Sequence, residues 1–191
     1  MLAFVTCMLS PSPGFTQDSV IIFDDGQSHE FSAKASKNIV VRNESHLDFS
    51  GDVDSGETPG LISTITLEDS STALIKGGQV QNRFIGLSGS GSSGTTMVDG
   101  VILVSSEGSG RGIALREFAT LELNGGRIDV ISESDAAGIQ LDEQSALTMT
   151  GGNVSMLVSG VGHFIAAADS ANATIGGGTF EGRFDEFSEI S

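Results

Sequence analysis

A repeat of 26 residues runs through most of this 191-residue chain. Residues 138–154 read GIQLDEQSALTMTGGNV, the stretch 26 residues earlier reads GIALREFATLELNGGRI, and the stretch 26 residues later reads FIAAADSANATIGGGTF. Apolar residues and glycines recur, whereas the polar residues between them change freely. A fixed period of this length is typical of solenoids, in which one repeat must stack on the next to bury its apolar face.

Apolar and polar residues alternate within each repeat, which predicts β-strands with one buried face. In the repeat quoted first, the alternating segments are 139–141, 147–149 and 154–156. A small residue, Ser145, separates the first two segments, and a glycine pair separates the second from the third. We therefore predict three short strands per repeat, each paired in parallel with its counterpart in the next repeat at about 4.8 Å.

The register of the repeats follows from the glycine that ends the second segment. Counted from Gly152, the corresponding residues are Gly26, Asp52, Gly78, Gly100, Gly126, Gly152 and Gly178. The steps are 26 residues except for one of 22 residues, from Gly78 to Gly100, which we assign to a shortened loop. The sequence predicts an all-β fold, a right-handed parallel β-helix (β-solenoid) of about six coils over residues 18–182.

The pattern G-I-x-L-x-[DE]-x-[SA]-x-L-x-[LM]-x-G-G-x-[VI] resembles the right-handed parallel β-helix of secreted bacterial adhesin-like and autotransporter passenger proteins. The resemblance covers residues 18–182, nearly the whole of the chain that would remain after export. It implies a secreted or cell-surface location in a bacterium. It also implies that the recurring residues are corners and core positions and do not carry out catalysis.

The two ends of the chain depart from the repeat. Residues 1–17 contain an apolar run followed by a proline-containing break, as the end of a truncated signal peptide would. A basic n-region and an A-x-A cleavage site are missing, so an ordinary apolar N-terminal segment is the alternative. Residues 183–191 are expected to form a C-terminal cap or the start of a further coil.

Charge and composition exclude several classes of partner. Nine Lys and Arg against 25 Asp and Glu give a net charge of −16, which disfavours binding to nucleic acid. No apolar run approaches the roughly 20 residues that a membrane-spanning helix needs. The single cysteine, Cys7, allows neither a disulfide framework nor a cysteine-based metal site.

An acidic column is the strongest candidate for chemistry. It lies two residues before the small corner residue of each repeat and consists of Asn43, Asp69, Glu117, Glu143 and Asp169. Carboxylates stacked at the strand spacing repel one another unless water or a cation separates them. Asp69, Glu117, Glu143 and Asp169 are therefore candidate Ca²⁺ ligands, and the alternative is an exposed acidic corner that keeps the solenoid soluble.

A second acidic cluster, Asp52, Asp54 and Glu57, lacks the spacing of an EF-hand, and a solvated turn is favoured. No metalloprotease or serine-hydrolase motif occurs, so we assign no catalytic and no cofactor-binding residue.

We expect an extracellular or cell-surface structural or adhesin-like module, non-enzymatic, that contacts an extracellular glycan or a host or matrix surface. The alternative is a carbohydrate-active β-helix, similar to a polysaccharide lyase or glycoside hydrolase, or a glycan-binding module.

Overall fold

The computed structural model describes residues 20–55 and 63–184, and every regular element there is a β-strand. In chain order the strands are β1 (Val20–Phe23), β2 (Ser28–Phe31), β3 (Lys34–Ala35), β4 (Asn38–Val41), β5 (His46–Phe49), β6 (Asp52–Asp54), β7 (Ser63–Leu67), β8 (Thr72–Asn82), β9 (Ile85–Gly89), β10 (Gly94–Ser106), β11 (Gly110–Leu115), β12 (Thr120–Leu123), β13 (Arg127–Ser132), β14 (Ala136–Leu141), β15 (Ala146–Met149), β16 (Asn153–Val158), β17 (Gly162–Ala167), β18 (Asn172–Ile175) and β19 (Thr179–Phe184).

The strands form three parallel ladders along the molecule. The first ladder is a seven-stranded sheet in the order β1-β4-β7-β9-β11-β14-β17. The second ladder is β2-β5-β8-β10-β12-β15-β18 and the third is β3-β6-β8-β10-β13-β16-β19; they share β8 and β10 and together form a twelve-stranded sheet. The all-β parallel solenoid with three strands per coil is confirmed, and the number of coils is close to that predicted.

The core is a set of stacked aliphatic columns between the two sheets. In the first ladder, successive coils contribute fully buried residues at one register position: Ile39, Ile65, Leu87, Ile113 and Ile139. Alternation along each strand brings every second side chain into this interior. Full burial of one such side chain stabilises the fold by about 1.5–3 kcal/mol. The coils between residues 38 and 158 bury apolar side chains in all three ladders, whereas the first and last described coils are only partly buried.

The first coil is shorter than the sequence predicts. Ile21 pairs with Ile39, and His29 pairs with Leu47, so each step to the second coil is 18 residues and not 26. Ile21 therefore lies in the first ladder, whereas the register counted from Gly26 predicts that residues 21–23 form the second segment of their repeat; that assignment is wrong. The short alternating segment VIIF suits either ladder, and Gly26, which set the predicted register, belongs instead to the turn before β2, with φ of 69°.

Glycine is required at two positions of the repeat, for a different steric reason at each. Gly152 has φ of 87°, and its counterparts from Gly78 to Gly178 are also positive, as the corner between the second and third strands requires. Gly112, which begins the G-I-x-L segment, has a negative φ but faces the core. A Cβ there would lie 2.3 Å from Cγ2 of Ile128, so only glycine fits.

Candidate functional site

The acidic column occupies the second position of the β-turn that joins the first ladder to the second. Its four acidic members are exposed and have positive φ: Asp69 (58°), Glu117 (60°), Glu143 (62°) and Asp169 (58°). The turn closes through a backbone bond, as where the Ser145 N–H donates to the Asp142 carbonyl at 3.2 Å. A left-handed conformation costs a non-glycine residue about 1–2 kcal/mol, and short polar side chains tolerate it best. Backbone conformation therefore accounts for Asp at two of these four positions.

Two of the carboxylates bind the backbone of the preceding coil. An oxygen of Glu117 accepts a hydrogen bond from the Gly91 N–H at 2.6 Å, and an oxygen of Asp69 accepts a longer one from the Asn43 N–H at 3.4 Å. These amides lie in an exposed turn outside the strand ladders. The acidic side chains therefore satisfy donors that the strands leave unpaired.

The column is not continuous. Gly91 occupies its position in the coil between Asp69 and Glu117, so those two acids lie two coils apart, whereas Glu117, Glu143 and Asp169 follow one another. Over residues 20–55 and 63–184, no group of three or more His, Cys, Asp or Glu side chains is placed to hold a metal ion. Ca²⁺ binding by Asp69, Glu117, Glu143 and Asp169 stays a prediction.

The second acidic cluster borders a surface depression of about 360 Å³. Asp52 and Asp54 both line it, because they lie two residues apart on β6, and Gln79 and Gln81 line it from the next coil. The Lys34 ammonium lies 3.4 Å from a carboxylate oxygen of Asp52. Glu57 lies outside the described residues. We name this feature the Asp52 depression.

A second depression, of about 290 Å³, lies on the outer face of the first ladder and was not found from the sequence. We name it the Arg111 depression. Its polar lining comes from four consecutive coils and consists of Ser63, Thr66, Ser88, Ser90, Arg111, Arg116, Gln140 and Asp142. These residues lie up to 79 positions apart in the chain, and the parallel register alone brings them together.

A chain of three side chains orients Arg111 in this depression. The amide nitrogen of Gln140 donates to a carboxylate oxygen of Asp142 at 2.8 Å, and the amide oxygen of Gln140 accepts a bond from Nε of Arg111. The Nη atoms of Arg111 have no hydrogen-bond or ion-pair partner in the described part of the chain. The guanidinium is therefore held in place by a neutral amide, and its charge is not neutralised by a direct carboxylate contact.

Three hydroxyls from the two coils that precede Arg111 lie together in the lining of the Arg111 depression. Oγ of Ser63 lies 2.7 Å from Oγ1 of Thr66 and 2.8 Å from Oγ of Ser88. Each hydroxyl has one donor and two acceptor sites, so bonds within the group leave acceptors unused. The depression thus offers hydrogen-bond acceptors beside a positively charged donor.

The shifted pKa values belong to surface ion pairs on or beside the second and third ladders. The pKa of Asp48 lies below its ordinary value because Lys76 bonds its carboxylate, with a smaller effect of His46. His29 lowers the pKa of Asp25 in the same way, and Asp129 raises the pKa of Arg127. None of these residues lines either depression.

No protein-family model, curated protein or solved structure matches this chain. None of the described segments forms an apolar helix of the length that a bilayer crossing requires.

Proposed function

We propose that the protein is an extracellular or cell-surface module of the structural or adhesin-like kind, and that it acts by contact and not by catalysis. The observation that supports this is the register of its outward side chains. Glu122, Thr148 and Thr174 pair directly across three coils, so they form one row at a spacing of about 4.8 Å. Rows of this kind give a rigid face whose chemistry is set by surface residues without disturbing the core.

The charge of the chain fits display in an aqueous, salt-containing medium. A net charge of −16 keeps copies apart and soluble, and the excess of acid discourages contact with nucleic acid and anionic lipid. The partner that we propose is a glycan or a host or matrix surface, reached without a deep cleft.

The test is location together with binding. The full chain with a small C-terminal tag is expressed in a bacterium, and intact cells are treated with an added protease before fractionation. We expect the tag in the medium or on the cell surface, and we expect the purified chain to bind members of a glycan array or matrix proteins. Retention of the tag inside protease-resistant cells would contradict the proposed location, and the absence of binding on the array would contradict the proposed contact.

A carbohydrate-active function is the second candidate, and the Asp52 depression favours it. Glycoside hydrolysis uses two carboxyl groups on either side of the bond that breaks, and Asp52 and Asp54 lie in one depression. Release of reducing ends from polysaccharides by the purified chain, lost in Asp54→Asn, would support this candidate. Asp129→Asn is the matched control, because Asp129 occupies the outward column of Asp54 two coils beyond Gln81.

A further inference from the structure

Positive charge is concentrated in the Arg111 depression. Two of the nine Lys and Arg residues of the chain, Arg111 and Arg116, line it, against one of the 25 acidic residues, Asp142. Neither arginine forms an ion pair in the described part of the chain. On a protein whose surface is mostly acidic, this is a place where an anion is locally attracted.

The orientation of Arg111 indicates the shape of that anion. Because Nε is bound to Gln140, the edge formed by the two Nη atoms remains for a ligand. That edge matches the two oxygens of a carboxylate, which binds guanidinium through two parallel hydrogen bonds. The chain from Asp142 through Gln140 fixes the guanidinium before a ligand arrives, which reduces the entropy lost on binding.

The remainder of the depression suits a sugar. The partly exposed hydroxyls of Thr66 and Ser88, both within hydrogen-bond distance of the buried Ser63 hydroxyl, provide acceptors for ligand hydroxyl groups, and Ala114 provides an apolar surface for ring C–H groups. A volume of about 290 Å³ is at the lower end for a small-ligand site, so it fits a short saccharide and not an enclosed polymer. Repulsion by the net charge of −16 also disfavours binding of a polyanion. A single carboxylate is affected mainly by charges within about 8 Å, because salt screens the more distant ones.

We propose that the Arg111 depression is a binding site for a saccharide that carries one carboxylate, such as a uronic acid residue at the end of a glycan. Arg111 binds the carboxylate, Gln140 and Asp142 position Arg111, and the hydroxyls of Thr66 and Ser88 bind the sugar hydroxyls. This inference rests on the proposed function, since it gives the surface module a ligand class.

The test is a calorimetric titration of the full chain with four probes: glucuronate, galacturonate, glucose and acetate. We expect at least one uronate to bind ten times more tightly than either glucose or acetate, and to bind more weakly as salt is raised. Arg111→Gln should weaken uronate binding at least tenfold. Arg111→Lys should weaken it as well, because an ammonium lacks the paired donors.

Two further variants separate the site from the charge of the whole molecule. Gln140→Leu leaves the charge unchanged and should weaken uronate binding severalfold, because the guanidinium loses its anchor. Arg127→Gln removes one positive charge from the third ladder and should leave uronate binding unchanged. Equal binding of acetate and uronate, or equal losses in Arg127→Gln and Arg111→Gln, would overturn the assignment.

The outcome is distinct from that of the proposed function. Array binding to neutral glycans, without any Arg111-dependent binding of a uronate, would refute the carboxylated-sugar site and leave the surface module standing. Uronate binding that depends on Arg111, in a protein retained inside the cell, would support the carboxylated-sugar site and refute the surface module.

Discussion

The carboxylate of Glu117 accepts a hydrogen bond from the backbone N–H of Gly91, its counterpart one coil earlier, at 2.6 Å. The two residues have φ of 60° and 67°, so both adopt the left-handed conformation that the turn imposes. The turn thus requires a residue that tolerates positive φ, and it leaves a backbone N–H that no strand pairs. Glu117 supplies an acceptor for the Gly91 N–H, but as a non-glycine residue it adopts positive φ at a cost in free energy.

Glu143 allows the cost of positive φ to be measured without the effect of a hydrogen bond. Its φ is 62°, and its side chain makes no hydrogen bond within the described residues. We expect Glu143→Gly to raise the free energy of unfolding by about 1 kcal/mol, since glycine adopts positive φ without a Cβ clash. Glu143→Ala is the matched control, because it removes the same carboxylate but keeps the strained conformation. Urea denaturation of both variants measures the difference.

Equal stability of the Glu143→Gly and Glu143→Ala variants would contradict the conformational explanation. The same pair tests the Ca²⁺ prediction for the column. A Ca²⁺-dependent rise in Tm of the wild-type chain that both variants lose would show that Glu143 is a ligand.

The sequence was sufficient to predict the coils in which the apolar pattern is strict. Pairs such as Ile139 and Leu141 alternate between glycine corners, and a one-residue slip would turn the whole apolar set to solvent, which fixes their register. The first coil lacked this constraint. Its strand Val20–Phe23 fits either ladder, and none of the other coils that the structure describes has a length of 18 residues.

The Arg111 depression could not be predicted from the sequence for a different reason. Arg111 and Gln140 lie 29 residues apart, three more than one coil, so their contact depends on a long side chain that reaches across the face. No local pattern marks such a pair. The acidic column was visible because its members share one register position, although its conformational role required the backbone angles.

Asn82 is a buried polar residue in the coil with the 22-residue step, between Gly78 and Gly100. It occupies the inward register position that Val104 fills in the next coil, and only 3% of it is exposed. Its amide nitrogen donates to Ser55 and Thr64 at 3.0 and 2.9 Å, and its oxygen accepts the Phe84 N–H at 2.6 Å.

We expect Asn82→Val to lower the free energy of unfolding by about 3 kcal/mol, because buried donors and acceptors lose their partner although the column becomes wholly apolar. Gln81→Val, one residue earlier on the outer face, should change it by less than about 1 kcal/mol. Chemical denaturation measures both. A gain in stability for Asn82→Val would show that apolar filling outweighs the lost hydrogen bonds.

The ion pair of Asp48 and Lys76 predicts a specific pH dependence. Lys76 Nζ lies 3.0 Å from the Asp48 carboxylate and holds the pKa of Asp48 below its ordinary value of 3.8. A carboxyl with a lowered pKa contributes stability above its unfolded pKa and loses that contribution as the pH falls through its folded pKa. Both side chains are substantially exposed, so the contribution is less than about 1 kcal/mol.

We expect Lys76→Met to raise the pKa of Asp48 towards 3.8 and to lower stability near neutral pH. The stability difference from wild type should shrink as the pH falls from 3.8 through the lower folded pKa of wild-type Asp48, below which Asp48 is protonated in both proteins. An NMR titration of the Asp48 carboxyl gives the pKa, and denaturation at about pH 7 and about pH 2.5 gives the stabilities. A stability difference that stayed constant over this range would assign the effect to packing of the lysine.

Thr95 offers a way to stabilise the core. It lies in an inward column between Ala73 and Leu121 and is 3% exposed, and its hydroxyl has no partner among the described residues. A buried hydroxyl without a hydrogen bond costs about 1–3 kcal/mol, and valine has nearly the same shape. We therefore expect Thr95→Val to raise the free energy of unfolding by about 1 kcal/mol or more.

Ser71→Ala is the matched control, because Ser71 is equally buried but donates to the Val41 carbonyl at 2.9 Å. That carbonyl also accepts the Glu68 N–H at 3.0 Å, so removal of the hydroxyl should lower stability by only about 0.5–1.5 kcal/mol. The two variants thus shift the urea midpoint in opposite directions although each deletes one buried hydroxyl. A shift in the same direction would mean that burial, and not pairing, decides the contribution of a hydroxyl in this core.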